Sequence, residues 1–207
     1  MTKPAARARA RIACVLLAAG GSSRLGRPKQ LVRRRGRPLL LRALEAACAA
    51  LHPGDRIVVV LGANALRLRR VLRRAAPVRQ GELTVSVAYN ARWAAGLAGS
   101  LRAGLDALPR APRAALVLLV DQPDVDAAAL RRLLAAWRRR PTVPAAARYA
   151  GRAGVPAILP RSLWRALRAL DGDAGARALL RGARELTLVD MPEAELDVDT
   201  PGDLARL

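Results

Sequence analysis

The sequence predicts an α/β protein with a mostly parallel central sheet, and three observations carry that prediction. Short, continuously apolar runs recur at 12–17, 56–61 and 114–120, as strands buried on both faces require. Stretches with leucine and alanine at helical spacing separate these runs. A glycine-rich, basic stretch, L-L-A-A-G-G-S-S-R-L-G-R-P-K-Q-L over 16–31, follows the first run directly, where an open α/β sheet places its ligand loop.

After the first strand and its loop, 38–51 reads as a helix, with Pro38 suited to the first turn. The run 56–61, ended by Gly62, is a second strand; 65–76 is a helix stopped by Pro77, and 84–88 is a third strand. A helix over 97–108, a fourth strand over 114–120 and a helix over 127–139 complete the alternation. Beyond 140 the pattern changes. Strands over 142–147 and 155–159 are joined across 149–154, and short helices follow at 162–170 and 175–180. A strand at 186–189 and a short last helix at 201–207 close the chain. No repeat or low-complexity linker intervenes, so a single domain is expected over 1–207, with halves at about 11–140 and about 141–207.

The loop after the first strand carries the chemistry. Gly20, Gly21 and Gly26 let the backbone turn and bring N–H groups close to a ligand. Successive N–H groups make an anion-binding concavity, around which Arg24, Arg27 and Lys29 add charge. A di- or triphosphate suits it. Two common phosphate loops do not fit: the spacing is not G-x-G-x-x-G, and Arg27-Pro28 stands where a Walker A loop needs Lys-Ser/Thr. The stretch from Leu17 to Lys29 instead resembles the signature L-A-A-G-x-S-x-R-x-G-x-x-K of the MobA-like nucleotidyltransferases. A glycine-rich connection with chance basic residues is the competing reading.

That resemblance implies a Rossmann-like three-layer nucleotidyltransferase fold with a mostly parallel central sheet, an NTP-binding first half and an acceptor-side second half. It places Leu17, Ala18, Ala19, Gly20, Gly21, Ser22 and Ser23 at the nucleotide, with Arg24 and Lys29 holding the triphosphate and serving catalysis. The fourth strand ends in Asp121-Gln122-Pro123. A carboxylate there is either the opening of a turn or a hard oxygen ligand for Mg²⁺ on a triphosphate, and the resemblance favours Asp121 as catalytic metal ligand.

The segment N-x-x-W-x-x-G-x-x-x-S-L-x-x-G from Asn90 resembles the molybdenum cofactor cytidylyltransferase branch and implies Asn90, Gly96 and Ser100 beside the nucleotide. Trp93 reads equally well as core, being one of three tryptophans in a chain without phenylalanine. The ending L-D-V-D-T-P-G-D-L over 196–204 resembles D-x-D-T-P-x-D-L, which implies Asp199, ahead of Asp197, as the second metal ligand and leaves Asp197 on the acceptor side. Asp203 suits the first turn of the last helix. Gly172-Asp173-Ala174-Gly175-Ala176-Arg177 matches G-D-x-G-A-R, an acceptor-phosphate site through Asp173 and Arg177 or else a structural turn. Where the family usually has Gly-His-Pro, this chain has Gly154-Val155-Pro156, so Gly154 and Pro156 carry over to the acceptor side without the histidine. His52, the chain's one histidine, lies beside Pro53 and far from every motif.

Composition tests other classes. The net charge of +21 raises nucleic-acid binding. The arginines are nevertheless spread along the chain, with no aromatic residues interleaved, which favours a solvated basic face with non-specific polyanion binding. Only Lys3 and Lys29 are lysines among 37 basic residues, which singles out the one in the loop. Cys14 and Cys48 have no metal-ligand spacing and read as buried thiols in a reducing cytoplasm. The basic start followed by apolar 12–19 resembles an export signal, but cleavage there would destroy the loop. No apolar run reaches the roughly 20 residues of a membrane span.

The resulting expectation is a cytoplasmic, Mg²⁺-dependent transfer of CMP from CTP to the phosphate of molybdopterin, releasing pyrophosphate, with an acidic molybdoenzyme or chaperone as recipient. The loop has L-A-A-G where the guanylyl-transferring branch of the resembled family typically has L-A-G-G, and that difference implies CTP. Guanylyl transfer to the same cofactor, transfer to another phosphorylated metabolite, a non-catalytic molybdopterin-binding assembly factor and a basic nucleic-acid-binding protein are the alternatives.

Overall fold

A computed structural model describes residues 11–75 and 83–207. Seven strands form one sheet in the order β5-β4-β1-β6-β8-β7-β9. They are β1 (Ile12–Ala18), β4 (Arg56–Leu61), β5 (Thr84–Tyr89), β6 (Ala114–Leu119), β7 (Ala145–Tyr149), β8 (Arg152–Pro160) and β9 (Thr187–Asp190). A separate two-residue hairpin pairs β2 (Arg33–Arg34) with β3 (Arg37–Pro38). Pairing is parallel from β5 through β6 and between β7 and β9, and β8 runs antiparallel to both its neighbours.

The buried strands alternate their side chains between two cores, as a pleat demands. Cys14, Leu16, Val59 and Leu116 face α1 (Leu39–Ala50), α2 (Ala65–Ala75) and α4 (Ala127–Arg139). Val15, Leu17, Val58 and Val117 face α3 (Leu97–Asp106), α5 (Trp164–Arg168) and α6 (Ala176–Arg181). The layers are therefore helix, sheet, helix. With no phenylalanine to fill space, Trp137 and Trp164 supply the largest buried side chains, one in each core. Cys14 and Cys48 are buried and free. Burial pushes both thiols above their ordinary pKa, with the neighbouring thiol adding to the effect at Cys14 and Glu45 at Cys48.

The second half departs from expectation in detail. The strand placed at 142–147 begins only at Ala145, because Pro141 and Pro144 carry no N–H for a ladder. The 149–154 connection shrinks to Ala150-Gly151, both at positive φ (47° and 70°), and Arg152 already belongs to β8. The helix at 162–170 is a 3-10 turn (Arg161–Leu163) running into α5, and the last helix is 3-10 (Pro201–Arg206). The end of the helix at 76–77 lies outside the described residues. β4 and β5 lie on one side of β1 and β6 on the other, which puts the crevice of the sheet above the ends of β1 and β6.

Candidate active site

β1 runs out at Ala18, and the chain turns through Ser22, in the left-handed region at φ 59°, into a 3-10 turn (Ser23–Leu25) pinned by buried Leu25. Gly26 reverses the chain, and a second 3-10 turn (Lys29–Leu31) carries Lys29 back under the loop, its N–H donating to Ser22 Oγ at 3.0 Å. Neighbouring β6 ends beside this loop, with the Val120 N–H bonded to the Leu17 carbonyl, and Asp121 follows. The C-terminal segment returns across the same point because the Val198 N–H donates to the Asp121 carbonyl at 3.0 Å. That bond sets Asp199 beside Asp121.

Lys29 Nζ stands between the two carboxylates, 2.5 Å from Asp121 Oδ2 and 2.7 Å from Asp199 Oδ1. Arg24 reaches Asp199 Oδ2 at 2.9 Å from the exposed side. Burial alone would lower the Lys29 pKa, but the charge and hydrogen bond of Asp121, then those of Asp199, outweigh it and leave the ammonium held above its ordinary value. Asp197 lies just behind. Burial first, then the charges of Asp121 and Asp199, push its carboxyl up to about 6, with Lys29 and Arg177 opposing in part.

Arg24, Lys29, Asp121 and Asp199, without Asp197, form one end of a cleft of about 380 Å³ between the loop, the tip of β6 and the start of α3. The Trp93 ring forms another wall. It packs so closely on Gly21 that a Cβ there would sit 2.8 Å from the ring, and the Trp93 Cβ and Cγ press equally close on Gly62. Gly96, at φ 114°, lies flat against the Gly172 carbonyl and the Asp173 nitrogen. The Ala98 N–H donates to that same Gly172 carbonyl at 3.0 Å. The two glycine-bearing motifs are thus one joint.

The carboxylates fit a hard divalent cation. Asp121 and Asp199 already converge on one positive charge, and Asp121 Oδ1 is buried with no hydrogen-bond partner. Among the described residues no group of three or more His, Cys, Asp or Glu side chains is placed to hold a metal. Two carboxylates with the rest supplied by phosphate and water is the coordination Mg²⁺ favours. A family description, the MobA-like NTP transferase domain, matches residues 14–191.

The chain is a MobA-like NTP transferase. Nicotine blue oxidoreductase from Paenarthrobacter nicotinovorans is 35% identical to it over 93% of this chain and 94% of that protein. The crystal structure of Rv0371c from Mycobacterium tuberculosis H37Rv superposes with a TM-score of 0.75 at 32% identity, covering 95% of this chain and 97% of that one. Rv0371c has also been solved in complex with manganese, at a TM-score of 0.71 and 30% identity over 95% of this chain and 97% of that one.

In this transferase the cleft is lined by 17–24, Lys29, Gly96, Ser100, Asp121, Asp173 and Asp199 together, all singled out by the sequence. Five other candidates stand elsewhere. Asn90 is buried behind the wall, where its Nδ2 donates to Ser100 Oγ at 3.0 Å and its Oδ1 accepts from the Arg92 N–H. It bonds to Ser100, which lines the cleft, and does not line the cleft itself. Gly154 is covered by the Tyr149 ring, and Pro156 lines a small apolar cavity with Leu118 and Leu130. Both sit in β8, whose side chains are committed to the cores, and Val155 beside them is core with its carbonyl bonded to Gln122 Nε2. Arg177 is exposed and donates to the Tyr149 hydroxyl at 3.3 Å. Asp197 is half-buried one step behind Asp199. His52 is exposed at the turn before Asp55, far from the cleft residues in sequence. Trp93, which the sequence left between core and site, lines the cleft. No helix among the described residues is long and apolar enough to cross a membrane.

Proposed function

We propose that this chain transfers CMP from CTP to the phosphate of a molybdopterin-type acceptor, with Mg²⁺ and release of pyrophosphate. The observation that carries the reading is Lys29 Nζ held between Asp121 and Asp199 beneath the phosphate loop. A phosphate-binding turn, a cation beneath it and a pair of converging carboxylates are the groups that nucleotidyl transfer needs, because the reaction is mostly positioning and charge neutralisation.

An oxygen of the acceptor phosphate attacks the α-phosphorus, a P–O bond forms, and the bond to the β-phosphate oxygen breaks, so that pyrophosphate carries away the electron pair. The loop N–H groups take the phosphate oxygens. Arg24 and Lys29, now spent on Asp199 and Asp121, turn onto the triphosphate, where Lys29 offsets charge that builds at the α-phosphorus. Bound to Asp121 and Asp199, Mg²⁺ would supply electrostatic stabilisation of that same charge. The acceptor phosphate is ionised near neutral pH, so attack needs no histidine base, in keeping with Val155 at the position where the resembled family carries one. Leu17-Ala18-Ala19-Gly20 supports CTP over GTP. The free buried thiols fit the cytoplasm, and the basic surface fits an acidic recipient.

The relative named an oxidoreductase motivates one competing reading: hydride transfer from a reduced nicotinamide dinucleotide whose pyrophosphate lies on the same loop. A single experiment separates the two. Pyrophosphate release is measured with Mg²⁺ and molybdopterin for CTP, GTP and ATP, and NADH or NADPH consumption is followed in parallel. Release with CTP alone is the expected result. Release with GTP alone would change the nucleotide, and consumption of reduced dinucleotide without pyrophosphate would replace the reading.

A further inference from the structure

Gln30 follows Lys29 in the chain, yet its side chain runs the opposite way, into the protein. It is fully buried and is absent from the residues that line the cleft. Its Nε2 donates to two carbonyls, Ala18 at 3.0 Å and Gly20 at 2.8 Å. Both belong to the turn where β1 becomes the phosphate loop. The carbonyls only accept, so the nitrogen end of the amide must face them.

The consequence follows from peptide geometry. In a planar trans peptide the C=O and the next residue's N–H point in opposite directions. Drawing the Ala18 and Gly20 carbonyls inward therefore turns the Ala19 and Gly21 N–H groups outward, and Ala19 and Gly21 both line the cleft. Gln30 Oε1, by contrast, is buried with no partner. An orphaned acceptor has a cost, which a side chain kept only to fill space would avoid, since methionine occupies a similar volume without polar atoms. The amide is retained for what its nitrogen does.

We infer that Gln30 is a positioning residue for the triphosphate: it aims the Ala19 and Gly21 N–H groups at the phosphates without touching the substrate. The inference rests on the nucleotidyl-transfer reading and adds to it the group that sets the shape of the anion site. Lys29 and Gln30 then divide one 3-10 turn, the first presenting charge to the ligand and the second fixing the backbone that receives it.

The test is Gln30→Met, with CTP, CMP and inorganic tripolyphosphate as probes in binding calorimetry. The affinity for CTP and tripolyphosphate should fall about tenfold to a hundredfold, the scale for two unanchored carbonyls, with a smaller fall for CMP. Equal losses for CTP and CMP, or no loss, would overturn the inference. If the variant does not fold, amide NMR of the wild type decides. Tripolyphosphate should shift the Ala19 and Gly21 amides while the Gln30 side-chain NH₂ stays exchange-protected and unshifted. A Gln30 NH₂ that shifts as a direct ligand, or Ala19 and Gly21 amides that do not move, would refute it. Wild type that binds neither CTP nor tripolyphosphate would sink the nucleotidyl-transfer reading together with the inference. Wild-type binding that Gln30→Met retains sinks the inference alone.

Discussion

Lys29 is the counter-ion of two carboxylates that would otherwise repel each other, and it occupies the charge position that a metal would take. Lys29→Met should therefore have opposite effects on two readouts. Pyrophosphate release should fall by at least about 10²-fold, as for loss of one preorganised charge contact. Mn²⁺ binding by the protein alone, followed by electron paramagnetic resonance, should tighten by about tenfold, because a competing charge inside a part-buried site is gone. Asp121→Asn should remove both properties, and weaker Mn²⁺ binding in Lys29→Met would contradict the shared position. The sequence made Lys29, Asp121 and Asp199 legible because each lies in a motif that resembles the family's; without that resemblance Asp121 read equally well as the opening of a turn. It did not distinguish a residue that faces the ligand from one that holds the wall. Asn90 and Ser100 belong to one motif, but only Ser100 lines the cleft. Gln30 gave a faint signal, a polar residue between the loop lysine and Leu31, and only its burial reveals what it does.

The C-terminal segment reaches the site through two devices, the Val198–Asp121 backbone bond and the cap of the last 3-10 helix. Asp203 Oδ2 accepts from the Asp199 N–H (3.0 Å), the Thr200 N–H (2.7 Å) and the Thr200 hydroxyl (2.8 Å). These bonds, in that order of weight, hold its carboxyl below the usual carboxylate range. The folded protein thus binds this proton less tightly than the unfolded chain does. The stabilisation is fully present above the ordinary carboxylate pKa and is lost as pH falls through the lowered one. Asp203→Ala should lower the thermal midpoint by a few degrees at neutral pH, with the gap to wild type closing in acid; a gap that does not change with pH would refute the cap's charge as its source. Gly96 is the second element-scale joint. Gly96→Ala would place a Cβ 2.3 Å from the Gly172 carbonyl at φ 114°, so it should prise α3 from the 172–173 turn. The expected result is a loss of about 1–3 kcal/mol in denaturant unfolding together with weaker nucleotide binding. The first-half elements were legible because the apolar runs at 12–17, 56–61 and 114–120 are too short for helices and match, within a residue, strands buried on both faces. The second half was harder, since Pro141 and Pro144 delay β7 and a two-residue turn leaves little local signature.

Over the whole molecule the dominant fact is charge, +21 on 207 residues. The paired arginines are mostly at the surface, as in Arg132 with Glu193 and Arg168 with Asp106, where such pairs stabilise little. With only 16 acidic residues against 37 basic ones, most arginines meet solvent or counter-ions. A single sheet spans both halves, so this field extends around the cleft, and it should raise the local concentration of any polyanion before specific contacts form. Two kinds of binding should consequently separate by salt. Duplex DNA of unrelated sequences should bind with equal affinity at low salt, and lose about 10³-fold or more between about 50 and 200 mM if six or more phosphates are contacted. Lys29→Met should leave that binding unchanged, since Lys29 is mostly buried in the site. CTP binding should show a shallower salt dependence and be lost in the same variant. A duplex affinity that depends on sequence, or that falls with Lys29→Met, would mean that the cleft itself reads nucleic acid. The opposite pattern leaves the arginines the part their spacing suggests, a field that gathers anionic partners around a cleft whose proposed binding groups are the loop, Lys29 and two aspartates.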